Sequence, residues 1–183
     1  KSEEDFDAIS KIANNISENL KAKGVSVKYD NRTTFRPGAK FAQHELQGVP
    51  LRIAIGPKDM ENGTVEIARR DTLTKEIVSL ENLISTIQVL LKDMQKKLFD
   101  KALNFRESHI TEVDNFEEFK TILDSKGGFI SAHWDGTNET EAKIKELTKA
   151  TIRCIPLEVR QEEGKCVYSG KPSKNRVLFA KAY

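Results

Sequence analysis

One long amphipathic segment constrains the fold of this chain more than any other feature of its sequence. From residue 80 to about 108, apolar side chains recur three and four residues apart, the spacing of one helix face. A helix of that length extends roughly 40 Å. Because one small core cannot cover it, we expect the helix, capped by Ser79, to bridge two domains. Its apolar positions are Leu83, Ile84, Ile87, Leu90, Leu91, Met94, Leu98, Ala102 and Phe105.

Helices and strands alternate on both sides of this segment, which predicts an α/β class with an α+β C-terminal part. We predict a mixed-sheet domain at 1–105 and a small α+β domain at 106–183. The elements predicted in the first domain are a helix capped by Ser2 and ended by Gly24, a strand at 25–29, a helix at 39–47, a strand at 51–55, a turn at 60–63 and paired strands at 64–70 and 75–78. Those predicted in the second are a helix capped by Asp114, a strand at 129–134, a helix at 139–150 and strands at 151–155, 165–168 and 176–183.

The composition favours a cytoplasmic protein without a membrane segment. Charged residues make up 32% of the 183, and the mean hydropathy is −0.53. No run approaches the roughly 18 apolar residues of a membrane span, and the acidic first residues do not resemble a signal peptide. With only two cysteines, Cys154 and Cys166, the pattern indicates free thiols.

No arrangement of residues predicts catalysis by this chain alone. Neither a G-x-S-x-G nor a phosphate-loop motif is present, and His109 and His133 have no carboxylate at a telling spacing. Cys154 alternates with apolar neighbours, which favours a buried structural thiol. A metal cluster of the two thiols with His133 has no support from spacing, so structural roles are the better interpretation.

The segment 28–58 is locally basic, with six Lys and Arg against two acidic residues, in a chain of net charge +2. Its loop leads into a helix start, where free N–H groups and the dipole attract phosphate. Exposed aromatic rings there can stack on unpaired bases, and acids can accept from base amino groups. The alternative is a solvated face with Phe41 in the core. The candidate RNA-binding residues are Asp30, Arg32, Phe35, Arg36, Lys40, Phe41 and Glu45.

Two parts of the chain resemble the prolyl-tRNA synthetase family. The run at 35–59, FRPGAKFAQHELQGVPLRIAIGPKD, resembles that family's anticodon-binding domain, and its general pattern is shared with histidyl, threonyl and glycyl enzymes. The second half resembles the extra C-terminal domain of the eukaryote-like branch. The residues that carry this second resemblance are Phe105-Arg106, Cys154-Ile-Pro156, Gly164-Lys-Cys166, Gly170-Lys-Pro-Ser173 and the ending at 176–183.

The resemblance implies a parent enzyme of class II that uses ATP and Mg to join proline to its tRNA, as a cytoplasmic homodimer. The expected partners of this chain are proline tRNA and the upstream catalytic domain. Without that domain, we expect the chain to be inactive in aminoacylation. The family's anticodon-binding domain begins with a strand before its first helix, so the first sheet of this chain is expected to be incomplete.

The resemblance also bears on zinc. Relatives that hold zinc use two pairs of cysteines, and the matching positions here are Trp134 and Thr140, then Cys166 and Ser169. One thiolate of four remains, and a lone thiolate does not hold zinc tightly. We therefore predict no zinc and no other cofactor, with the turn held by packing, in which Trp134 is the candidate.

Two further site predictions follow from the resemblance. The family's last residue points back to the active site, which implies such a role for Tyr183 and Lys181; the alternative is a frayed terminus. Proline anticodons share two adjacent guanines, so Glu45 or Asp30 is expected to accept from guanine N1 and N2, with nearby cations at O6, N7 or phosphate. A stand-alone RNA-binding module and a structural or dimerisation lobe remain alternatives.

Overall fold

The structure, a computed structural model, describes residues 3–157 and 161–182. The chain divides into two compact units, Lys1–Phe99 and Asp100–Tyr183, called here the first and the second unit. The division falls inside the long helix, while the predicted domain limits of 1–105 and 106–183 stay a prediction. The described residues contain no helix that is both long and apolar enough to cross a membrane.

The first unit packs helices against an antiparallel sheet. Its elements are α1 (Glu3–Ala22), α2 (Pro37–Leu46), β1 (Leu51–Ala54), α3 (Pro57–Asn62), β2 (Thr64–Arg69), β3 (Lys75–Ser79) and the first part of α4 (Leu83–Ser108). The sheet has the order β1-β2-β3. Inward side chains of β2 alternate, so that Val65 and Ile67 are fully buried against Leu20 of α1 and Leu83 and Ile87 of α4.

Residues 25–29 do not form the predicted strand. Val25 and Val27 pack against the core, and burial alternates along the segment as it does in a strand. A strand, however, is defined by hydrogen bonds to a neighbouring strand, and the described residues offer this segment no such partner. The described strands of this unit are accordingly all antiparallel, and the mixed sheet of the predicted α/β class lies in the second unit.

Three predicted boundaries in the first unit are wrong. Helix α2 begins at Pro37 rather than at 39, because proline suits the first helical position. The predicted turn at 60–63 is instead the end of α3, whose start is fixed by the Asp59 carboxylate accepting from the Gly56 N–H at 2.8 Å. Ser79 is the last residue of β3 and does not cap α4, which begins at Leu83.

The second unit contains a mixed four-stranded sheet of order β4-β5-β9-β6, in which β4 runs parallel to β5. Its core includes Phe119 and Phe179, both fully buried and in edge-to-face contact with ring centroids 5.2 Å apart. The elements are β4 (Ile110–Glu112), α5 (Phe116–Ser125), β5 (Phe129–His133), α6 (Asn138–Thr148), β6 (Ala150–Cys154), β7 (Gly164–Lys165), β8 (Pro172–Ser173) and β9 (Arg176–Lys181).

Several predictions for this unit need correction. The cap of α5 is Asn115, which accepts from the Glu118 N–H at 2.8 Å, whereas Asp114 pairs with Arg176. The predicted strand at 165–168 is limited to β7, because the chain turns immediately afterwards. Cys154 is exposed rather than buried, because a register shift after Ile152 changes the alternation. Strands β4 and β8 were not predicted.

Strand β7 approaches a buried histidine closely. His133, at the end of β5, is 3% exposed, and its Nδ1 lies 3.2 Å from Ser173 Oγ. Its Nε2 lies 3.7 Å from a Glu162 carboxylate oxygen. A Cβ atom at position 164 would collide with the imidazole ring, so only glycine fits there. The β7–β8 ribbon is thereby seated directly on the end of β5.

Candidate nucleic-acid interface

The predicted basic segment forms a compact cluster around the Asp30 carboxylate, called here the Asp30 cluster: Asp30, Arg32, Lys40 and His44. Arg32 donates to both carboxylate oxygens, from Nε at 2.8 Å and from Nη2 at 2.6 Å. From the same face of α2, His44 Nε2 lies 3.0 Å from Asp30 Oδ2, and Lys40 Nζ donates to the Asp30 carbonyl at 3.2 Å. The cluster ties the loop at 30–36 to α2.

The charges of this cluster do not cancel. The hydrogen bonds from Arg32 hold the pKa of the Asp30 carboxyl far below its usual range, with smaller contributions from His44 and Lys40. The paired carboxylate in turn raises the pKa of the Arg32 guanidinium. The cluster therefore contains two cations, Arg32 and Lys40, and one anion, Asp30. Its net charge is positive, which favours the binding of a polyanion.

The aromatic residue of the loop is available for stacking. Phe35 is 49% exposed, and the Arg32 guanidinium lies over its ring at 4.7 Å from the centroid. Arg36 follows as the extended residue before α2, and its side chain makes no cap hydrogen bond. Its carbonyl accepts from the Ala39 and Lys40 N–H groups. An exposed ring offers a stacking face for an unpaired base, and a helix N-terminus attracts phosphate.

Phe41 and Glu45 have a shared partner in Arg52. The Arg52 guanidinium lies over the Phe41 ring at 3.7 Å, and its Nη1 donates to Glu45 Oε1 at 3.0 Å. Phe41 is partly buried, so one of its faces is already occupied. The Glu45 side chain is 59% exposed, and in the part of the chain that the structure describes its Oε2 has no hydrogen-bond donor. Glu45 is thus an oriented carboxylate with an open acceptor.

Three contributors to this region were missed in the sequence. Gln43 accepts from Arg32 Nη2 at 2.8 Å, His44 contacts Asp30, and Arg52 joins Phe41 to Glu45. Helical spacing held a signal for His44, because residues four apart, as Lys40 and His44 are, lie on one face. The contacts of Arg52 come from a strand meeting a helix, and no local pattern predicts them.

The turn at 164–170 is held by hydrogen bonds as well as by packing, because its Val167 is buried in the core against which Trp134 packs. Ser169 and Thr140, two of the positions matching zinc ligands, both donate to Asp135 Oδ2, at 2.6 and 2.8 Å. Thr137 donates to Asp135 Oδ1 at 2.8 Å. These four residues are called the Asp135 cluster. Trp134 packs against this core and also donates from Nε1 to the Thr137 carbonyl.

The donors of this cluster do not fit a zinc ion. Hydroxyl groups are poor zinc ligands, and Cys166, although buried, is the one thiol at the four positions. Within 3–157 and 161–182, no three His, Cys, Asp or Glu side chains are placed to share a metal. Burial opposes the charge of Asp135, but the hydroxyl hydrogen bonds outweigh burial and lower its pKa to about 2.

The predicted C-terminal site is only partly within the described residues. Lys181, at the end of β9, pairs with Asp124 of α5 at 2.5 Å. Tyr183 lies outside the described residues. Their orientation toward an active site therefore stays a prediction.

Comparison with known proteins identifies both units. The family "Anticodon binding domain" matches residues 2–90 and thus includes the whole Asp30 cluster. The family "Prolyl-tRNA synthetase, C-terminal" matches residues 116–183. The chain therefore belongs to the prolyl-tRNA synthetase family and comprises an anticodon-binding domain followed by the family's C-terminal domain.

Curated relatives extend over the whole chain. It is 61% identical over 183 residues to the proline–tRNA ligase of Christiangramia forsetii. The corresponding values are 60% for Flavobacterium johnsoniae and 56% for Porphyromonas gingivalis. In each case all of this chain is matched, but it spans only 37% of the length of the relative.

Proposed function

We propose that this chain binds the anticodon of proline tRNA as the C-terminal part of a proline–tRNA ligase. The observation that carries the proposal is the Asp30 cluster, a net positive group beside the half-exposed Phe35 ring and the open carboxylate of Glu45. It lies inside the region that matches anticodon-binding domains. The relatives' shared name, and the 37% of their length that is matched, support a role within a longer enzyme.

Within this site the residues take different roles. Glu45 accepts hydrogen bonds from guanine N1 and N2, because its Oε2 is open and Arg52 fixes its orientation. Phe35 offers a ring for a splayed base. Arg32, Arg36 and Lys40 meet phosphates or the guanine O6 and N7 acceptors. Phe41 has one face of its ring covered by the Arg52 guanidinium and is therefore a weaker candidate for stacking on a base.

Proline activation with ATP and Mg belongs, in this proposal, to the part of the ligase outside the matched region, so the chain alone is inactive. It binds no zinc, because two of the four positions that match zinc ligands, Thr140 and Ser169, carry hydroxyl groups that donate to Asp135. A cytoplasmic location and a homodimeric parent are proposed from the family resemblance. In the full enzyme, Lys181 and Tyr183 act near the active site.

The binding of tRNA to single variants tests the proposal. Proline tRNA and a variant with both anticodon guanines replaced are titrated against Glu45→Ala, Arg32→Ala and Lys40→Ala at two salt concentrations. Glu45→Ala is expected to lose about 1–3 kcal/mol and the preference for guanine. Where Arg32 or Lys40 binds a phosphate, its replacement by alanine weakens both tRNAs alike and lowers the salt slope by about one.

Lys97→Ala is the matched control, because Lys97 is an exposed lysine on α4 of the same unit and pairs with Asp93. Its binding is expected to equal that of the wild type. If all three site variants keep wild-type affinity and discrimination, the anticodon does not bind here and the assignment is wrong.

A further inference from the structure

We infer that Asp30 is a positioning residue, which holds Arg32, Lys40 and His44 in the arrangement they present to tRNA and reads no base itself. The inference rests on the proposed function. It separates the two acids of the segment, which the sequence left as equal candidates for accepting from guanine.

Both oxygens of the Asp30 carboxylate are fully occupied. Oδ1 accepts from the backbone N–H of Arg32 at 3.2 Å and from its Nε at 2.8 Å. Oδ2 accepts from Arg32 Nη2 at 2.6 Å and lies 3.0 Å from His44 Nε2. A carboxylate offers about four acceptor sites, and here four partners use them. A guanine can bind Asp30 only by displacing a partner, whereas Glu45 keeps an open oxygen.

The Asp30 carboxylate is also less accessible than its partners. The Asp30 side chain is 12% exposed and lies beneath the cations that surround it. Arg32, at 37%, is the most exposed member of the cluster. In the described part of the chain its Nη1 makes no hydrogen bond, so this nitrogen is left for a ligand. An incoming RNA therefore meets the guanidinium and the Phe35 ring before the carboxylate.

Asp30 also preorganises the Arg32 side chain. Arg32 is fixed by both oxygens of Asp30, by Gln43 at 2.8 Å and by its position over the Phe35 ring. A long side chain that is immobilised before binding loses less entropy when the ligand arrives. Asp30 thus favours binding of an anion although it carries a negative charge itself.

This gives a test in which two explanations predict opposite signs. In Asp30→Asn one negative charge leaves the site, so charge alone predicts tighter binding of proline tRNA. Positioning predicts binding about tenfold weaker, because Arg32 loses the charged acceptor that fixes its guanidinium. For each of the two tRNAs the weakening is expected to follow that of Arg32→Ala, because Asp30 acts through Arg32 and reads no base. In an Arg32→Ala background, Asp30→Asn is expected to add less than about twofold.

Asp71→Asn is the matched control. Asp71 accepts from Arg69 Nε and Nη2 at 3.0 and 2.7 Å, the same bidentate pair two residues apart. This variant changes the net charge equally and is expected to bind within about twofold of the wild type. Melting curves show whether Asp30→Asn is folded. If it is not, Arg32→Lys replaces it, since lysine keeps the charge but cannot donate from two nitrogens to one carboxylate, and this variant is expected to bind as weakly.

The inference is overturned if Asp30→Asn, or Arg32→Lys in its place, binds proline tRNA as tightly as the wild type or more tightly. It is also overturned by a weakening confined to the guanine-containing tRNA when Arg32→Ala weakens both tRNAs alike, since that would make Asp30 a base-reading residue. If Arg32→Ala, Lys40→Ala and Glu45→Ala weaken binding while Asp30→Asn does not, only the positioning role fails. If none of them weakens binding, the proposed function fails as well.

Discussion

Asp30 and Asp135 each collect several hydrogen-bond donors, but those around Asp30 include the cations Arg32 and Lys40, whereas those around Asp135 are neutral. Asp30 is met by Arg32, Lys40 and His44 at the surface of the first unit. Asp135 is met by three hydroxyl groups in the second. Both carboxyl groups have lowered pKa values, so both are ionised at neutral pH.

The difference separates a surface for a ligand from an internal connection. Around Asp30 the cations outnumber the anion, and the excess charge attracts a polyanion. Around Asp135 the hydroxyl groups are neutral. Their hydrogen bonds to the carboxylate connect the turn at 164–170 to the loop before α6. Changes at Asp30 should therefore alter binding, and changes at Asp135 should alter stability.

The largest effect is expected for Asp135→Ala. Three hydroxyl groups lose their shared acceptor, and we expect the second unit to lose about 1–3 kcal/mol of unfolding free energy. Amide hydrogen exchange in β5 and β9 measures this loss, and tRNA binding should not change. A similar loss of protection in β5 and β9 in Asp30→Asn would remove the contrast between the two carboxylates.

Acid should weaken the Asp135 cluster in a defined direction. Its folded pKa of about 2 is below the usual 3.8, so the stabilisation is complete above pH 3.8 and is lost as the pH falls through 2. Between about pH 4 and pH 2 we expect the wild type to lose about 1–2 kcal/mol more than Asp135→Asn. Parallel acid unfolding curves for the two proteins would contradict this.

Ser169→Ala should have a smaller effect of the same kind. One of the hydroxyl donors to Asp135 is removed, while Thr137 and Thr140 keep theirs. We expect a loss of about 0.5–1.5 kcal/mol in denaturant unfolding of the second unit. Ser125→Ala is the control, because that hydroxyl is exposed on α5 and bonds only within its helix. Equal losses in both variants would mean that the Asp135 cluster adds nothing.

Salt should give the smallest effect on folding and the clearest contrast. The Asp30 ion pairs are partly exposed and are screened by added ions, whereas the hydroxyl bonds of Asp135 are not. Raising NaCl from about 0.05 to 0.5 M is expected to lower the melting temperature of the first unit by about 1–2 °C more in the wild type than in Asp30→Asn. The melting difference between wild type and Asp135→Asn should stay constant.

Local patterns predicted the elements whose backbone hydrogen bonds join residues that are near in the sequence. Helix α1, the β2–β3 hairpin and α4 follow from apolar spacing alone. The segment at 25–29 has the alternation of a strand, but pairing depends on a partner elsewhere in the chain, which no local pattern contains. Cys154 was misplaced because one irregular residue in a ladder reverses the two faces.

The same limit applies to the site. The basic residues and the exposed ring were predicted from composition and spacing, because a cluster of cations before a helix is visible in the sequence. Which acid would be enclosed was not visible. In the sequence, Asp30 and Glu45 are equivalent candidates. Only the packing of α2 against the loop shows that the Asp30 carboxylate is surrounded by donors while the Glu45 carboxylate is exposed.

The close approach of Gly164 to His133 restricts the order in which this protein can change during evolution. An alanine at 164 would meet the imidazole ring, so the substitution is tolerated only after His133 has become a smaller residue. Replacing His133 first leaves a gap beneath β7 and removes the partner of Ser173. The two positions are therefore expected to vary together across descendants of this chain, with the histidine changing first and the glycine second.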